Sequence, residues 1–138
     1  MESAKKKEIL NSFLEASKEW RYWKEETERL MVAATGASPS LSGMPHGGST
    51  STSKVEIAAE SLEDARRELA AAAAAMSKAR RQVAAVIKTA PTADQRIVLR
   101  RRYINGQTWE QIADACGKSR QWATMTHGEA LKKIILNS

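Results

Sequence analysis

Thr108-Trp109-Glu110-Gln111-Ile112-Ala113-Asp114-Ala115-Cys116-Gly117-Lys118-Ser119-Arg120-Gln121 decides the fold. Thr108 followed three residues later by Gln111 is a capping-box spacing: the hydroxyl accepts an amide of the first turn and the side chain at the third position reaches back. The short helix it opens presents Ile112, Ala113 and Cys116 to one side. Gly117 supplies the left-handed residue that ends a helix at low cost. Ser119 is a strong N-cap for a second helix, expected from Arg120 to about Ile134 with Ala123, Ala130, Leu131 and Ile134 inward. Two helices joined by a short glycine-bearing turn form a helix-turn-helix, in which the second helix protrudes.

Working backwards, Thr92-Ala93-Asp94-Gln95 is another capping-box candidate, and the helix it opens runs through Val98, Leu99 and Tyr103 to Asn105-Gly106. Pro91 disfavours helical geometry in the residue before it, so the preceding helix is expected to stop at Ala90. That helix opens at Ser53-Lys54-Val55-Glu56, also a capping-box spacing, and carries a seam of Val55, Ala58, Leu62, Ala65, Leu69, Ala72, Met76, Ala79, Val83 and Val86. Steps alternating between three and four are a heptad pattern. An earlier seam reads Phe13, Ala16, Trp20, Trp23, Thr27, Leu30 and Ala34 on a helix from about Ser3 to Ala34. Between the two, Thr35–Ser53 holds two prolines, four glycines and many hydroxyl residues, and is expected to be a mobile loop.

The expected architecture is therefore all-α: a long antiparallel helical hairpin over 1–90, with its loop at 35–53, and a three-helix helix-turn-helix domain over 91–138. Trp20 and Trp23 are placed opposite Ala70–Ala75, large against small, and Phe13 near Met76. Pairing of the seams between chains is the alternative, and a dimer of hairpins satisfies both. Pro91 is expected to separate two independent cores.

The 138 residues carry a formal net charge of +6, which favours a polyanionic partner. No apolar run approaches the roughly 18 residues of a membrane span, so no membrane association is expected. The single cysteine, Cys116, excludes an internal disulfide, fits a reducing compartment and occupies a core-like position. His46 and His127 join no Cys or carboxylate cluster, so no metal is expected. Gly117-Lys118-Ser119 echoes the end of a phosphate-binding loop, but Ile112 stands where its upstream glycine belongs and no strand precedes it. No catalytic constellation and no cofactor site is legible. Trp109 is expected to pack on Tyr103. Trp122 is expected to face outward, with DNA contact, a partner surface and edge packing all open.

Leu99-Arg100-Arg101-Arg102-Tyr103-Ile104-Asn105-Gly106, Thr108 to Ala113, Gly117, Ser119-Arg120 and Ala130-Leu131-Lys132-Lys133-Ile134 resemble region four of bacterial sigma factors, the module that reads the upstream promoter element. This likeness covers about a third of the chain. Ser38-Pro39-Ser40-Leu41-Ser42-Gly43-Met44-Pro45 and His127-Gly128 extend it: nearly the whole chain resembles a family of small phage and prophage proteins, similar to regulators of late genes and of autolysin. The resemblance implies a regulator of transcription that binds double-stranded DNA in the bacterial cytoplasm, dimerises through its hairpin or contacts RNA polymerase with it, and reads bases with Arg120, Gln121, Thr124 and Met125. Arg and Gln are the residue types that make paired hydrogen bonds to guanine and adenine. Trp122, Thr124 and Met125 depart from the sigma pattern, which implies a different promoter preference. Arg100, Arg101, Arg102, Lys118, Lys132 and Lys133 are candidates for phosphate contacts. A phage DNA-packaging subunit of the small terminase kind and a helical protein–protein adaptor are the other readings. The first usually places its DNA-binding unit at the start of the chain, whereas here it comes last.

Overall fold

A computed structural model of the chain describes residues 2–35 and 48–136, with the side chains of 48–53 left aside. Among these residues the protein is all-α: α1 (Glu2–Thr35), α2 (Gly48–Ile87), α3 (Ala93–Tyr103), α4 (Trp109–Cys116) and α5 (Arg120–Lys133). No helix among them is long and apolar enough to cross a membrane.

The long helices differ from the sequence reading at their ends. Helix α2 begins at Gly48, so Ser53 lies inside it and the Ser53–Glu56 spacing does not mark its start. The expected loop therefore loses residues 48–53; its Ser38–Pro45 motif lies outside the described residues. Hydroxyl residues are only middling helix formers, but they sit ahead of an alanine-rich stretch with the best helix propensity, Ala70–Ala75. At the other end α2 stops at Ile87, three residues before Ala90. Its last turn tightens: the amides of Thr89 and Ala90 donate to Val86 and Ile87 carbonyls at 3.0 Å each, and the Thr89 hydroxyl donates to the Val86 carbonyl at 2.6 Å. Pro91 sets a limit on the helix, and the threonine ends it sooner.

Contacts gather the chain into two compact units, residues 1–16 with 75–138 and residues 17–74. In the first unit one apolar cluster joins Leu10 of α1 and Val83, Val86, Ile87 and Ala90 to Leu99, Tyr103, Ala130, Leu131 and Ile134. A second contains Val98, Ile112, Ala113 and Ala123, edged by Trp109, Cys116 and Trp122. The first cluster draws side chains from both sides of Pro91, so the expectation of independent cores divided there is corrected. Burying Leu10, Val83 and Ile87 almost completely contributes about 1.5–3 kcal/mol per side chain. Lys6, buried one turn before Leu10, donates from Nζ to the Leu131 carbonyl at 2.8 Å and faces Glu2 at 3.6 Å. The ammonium thus satisfies a carbonyl in the last turn of α5, where a cation is favoured.

In the second unit Leu30 of α1 clusters with Leu62 and Ala65 of α2, with Trp23 and Ala34 packed against them. The α1 seam is met at Thr27 and Leu30, while Trp20 and Trp23 are only half-buried. Ser17 is buried in place of Ala16, and, within the first unit, Leu10 and Lys6 are more deeply buried than Phe13. Phe13 packs on the Leu10–Val83 cluster. Val55, the first position of the α2 seam, is exposed. Heptad spacing locates a stripe but not which polar residues share it.

Candidate nucleic-acid interface

Three short helices position the exposed basic and amide side chains, and each is set by its caps. Thr92 Oγ1 accepts the Gln95 amide at 3.1 Å. Only this half of the expected box forms, because Gln95 Oε1 is buried with no partner among the described residues. Gly106, at φ +68°, turns the chain out of α3. At α4 both arms of the box are made: the Thr108 amide donates to Gln111 Oε1 at 2.8 Å, and the Gln111 amide to Thr108 Oγ1 at 3.2 Å. Gly117 is left-handed at φ 65°, ψ 35°. Its amide and that of Lys118 return to the Asp114 and Ala113 carbonyls at 3.2 and 2.9 Å, which closes α4 in the manner of a Schellman turn. Ser119 Oγ then accepts the Trp122 amide at 3.1 Å and starts α5.

The turn fixes which way α5 faces. Ala123, His127, Ala130 and Leu131 are buried, and Arg120, Gln121, Thr124 and Met125 are exposed. All four base-reading candidates thus share the outward side of the amino-terminal half of α5. Met125 keeps 62% of its surface, a large exposure for an apolar side chain. Arg120 Nε lies 3.3 Å from Glu110 Oε1, both side chains about two-thirds exposed. Such a pair contributes at most about 1 kcal/mol, so it orients the guanidinium without locking it away. Thr124 Oγ1 donates to the Gln121 carbonyl at 3.0 Å.

The six phosphate-contact candidates divide. Arg100, Lys118, Lys132 and Lys133 are exposed. Arg101 and Arg102 are half-buried and tied to the α3–α4 turn. Arg102 Nη1 donates to the Gln107 carbonyl at 3.0 Å, and its guanidinium lies 4.4 Å from the centre of the Trp109 ring. Arg101 Nη1 reaches Gln107 Oε1 at 3.5 Å, and its Nε is buried without a partner among the described residues. These two hold the turn that presents α4. Lys118 Nζ stands 5.8 Å over the Trp122 ring, which is half-buried against the Ile112 cluster.

Sequence reasoning weighs His127 only as a metal ligand and leaves it out of the inward face of α5. Its Nε2 shares a 2.6 Å hydrogen bond with the Tyr103 hydroxyl. The edge of Trp109 meets it at 4.8 Å between ring centres, so Trp109 packs on His127 where Tyr103 was expected. Burial foremost, then the charges of Lys7 and Arg102, lower its pKa from 6.5 to about 4. The imidazole is therefore neutral at neutral pH, a hydrogen-bonded strut between α3 and α5. The sequence held the signal: Ala123, His127, Ala130 and Ile134 continue one helical stripe. Comparison with family models, with curated proteins and with solved structures finds no match to this chain.

Proposed function

We propose that this chain is a sequence-specific double-stranded DNA-binding regulator of transcription, of the phage or prophage type and similar to sigma region four. In this reading α4, the Gly117 turn and α5 form a helix-turn-helix, and α5 enters the major groove by its amino-terminal half, as such recognition helices do. One observation carries it: a capped left-handed turn sets Arg120, Gln121, Thr124 and Met125 together on the exposed face of α5. Arg120 and Gln121 supply paired donors and acceptors for base edges, and Met125 an apolar surface for a thymine methyl. Arg100, Lys118, Lys132 and Lys133 supply backbone contacts, with a net charge of +6 behind them.

The helical-hairpin part of the reading draws on the clustering of Leu30 with Leu62 and Ala65. It draws separately on that of Leu10 with Val83 and Ile87. The hairpin would carry the dimer contact or meet RNA polymerase. Sequencing the genomic fragments retained by the purified chain tests the proposal. Promoter-proximal fragments are the expected result. Retention of a packaging site instead would assign the chain to phage DNA packaging, and no retention above background would leave a helical adaptor.

A further inference from the structure

The first unit holds a cleft of about 570 Å³ that is lined by Lys6, Lys7, Lys132, His127, Gly128 and Leu131, together with Glu2 and Ser3. Three ammonium groups meet one carboxylate there, and that carboxylate is engaged by Lys6. His127 is uncharged at neutral pH and adds no positive charge of its own. The buried Lys6 is committed to the Leu131 carbonyl. Lys7 and Lys132 are exposed and face the cleft with their charge unspent.

Gly128 gives the cleft its meaning. It lies within α5, where glycine costs about 1 kcal/mol relative to alanine. Its φ is not positive, unlike those of Gly106 and Gly117. A Cβ built on it would meet nothing within 4 Å. Neither backbone geometry nor internal packing among the described residues therefore requires glycine here. A bare helix surface leaves room for close approach by a group from outside. At 3.6 residues per turn, Gln121, Thr124, Met125, Gly128 and Lys132 fall on one continuous stripe of α5.

We infer that the cleft floored by Gly128 and flanked by Lys7 and Lys132 seats a phosphate of the DNA backbone, beside the base-reading half of α5. The inference rests on the DNA-binding reading above and adds the amino-terminal end of α1 to the interface. Gly128 lets the phosphodiester approach the helix backbone, Lys7 and Lys132 neutralise it from two sides, and Lys6 holds α1 against α5 so that Lys7 is in place.

The test is a salt titration of duplex binding by fluorescence anisotropy. It uses the full chain, a duplex from the retained fragments and a mixed-sequence duplex. Lys7→Gln is expected to weaken both complexes equally and to reduce the slope of log K against log salt by about one unit. Gly128→Ala is expected to raise the melting temperature while weakening binding to both duplexes, an opposition that a packing role for the glycine would not produce. Gly128→Glu should weaken binding further, with the melting transition retained. If the parent chain retains no fragment and does not bind the mixed-sequence duplex, the DNA-binding reading itself fails and takes this inference with it. If the parent binds and Lys7→Gln and Gly128→Ala match it in affinity and salt slope, the cleft is no phosphate site and only the inference falls.

Discussion

Residues 1–16 with 75–138 and residues 17–74 are built from the same helical material and use it differently. Among the described residues, the first unit contains every large side chain buried to below 2% exposure, Leu10, Val83, Ile87, Val98, Leu99 and Ile112. It also contains two apolar clusters and the Tyr103–His127 bond. Among the described residues the second has one small cluster about Leu30, Leu62 and Ala65, and leaves Tyr22, Met31, Val32, Val55 and Ile57 exposed, against Ile97, Met125 and Ile135 in the first. Hydrophobic stabilisation follows the apolar area removed from water, so it concentrates where α3, α4 and α5 gather. The ends of the two long helices that share this unit are structural members of it. The contrast teaches that the unit presenting the α5 face is completed by chain from far away in sequence.

The harshest way to break this contrast is to cut at the proline. A fragment of residues 92–138 lacks Leu10, Val83, Val86, Ile87 and the Lys6 bond to the Leu131 carbonyl. It is expected to show no cooperative thermal transition by circular dichroism. A sharp melt would mean that α3–α5 hold their own core. A single truncation in each unit sharpens the comparison. Both substitutions fall in the roughly 2–5 kcal/mol range for core leucines. Leu10→Ala is expected near the top and Leu30→Ala near the bottom, by urea denaturation of the full chain. Equal losses would erase the difference between the units.

A smaller effect comes from pH. His127 holds a pKa of about 4 when folded against an ordinary 6.5, so between these values the unfolded chain binds the proton and the folded chain does not. Stability is then fully present above about pH 6.5 and falls as the pH drops through 4, by roughly 3 kcal/mol in all. His127→Gln should be less stable at neutral pH, and its stability should vary less across that window. An unchanged slope in this variant would place the acid sensitivity elsewhere, among the carboxylates.

What was legible in the sequence was local. The Thr108–Gln111 box, the left-handed Gly117, the Ser119 cap and the inward stripe of α5 are each set within a few residues, and the exposed positions of Arg120, Gln121, Thr124 and Met125 follow from them. What was not legible needed partners distant in sequence. Lys6 reads as one of a solvated lysine run until the Leu131 carbonyl, 125 residues away, meets it. Nothing near Arg101 and Arg102 in sequence announces that the Gln107 turn and the Trp109 ring will engage them. His127 lay on a visible stripe, but its hydrogen bond to Tyr103 did not show. The early start of α2 at Gly48 runs against the local propensity of a serine- and threonine-rich stretch, which is a weak guide.

In the proposed function the outward face of α5 reads DNA sequence, and the most direct measurement of that is the ratio of affinities for a captured site and a mixed-sequence duplex at one salt concentration. Arg120→Ala and Gln121→Ala should each reduce that ratio by the equivalent of about 1–3 kcal/mol. Binding to the mixed-sequence duplex and the melting temperature should stay close to those of the parent. Full discrimination retained by both variants would contradict the account and remove α5 from its role as the reading helix.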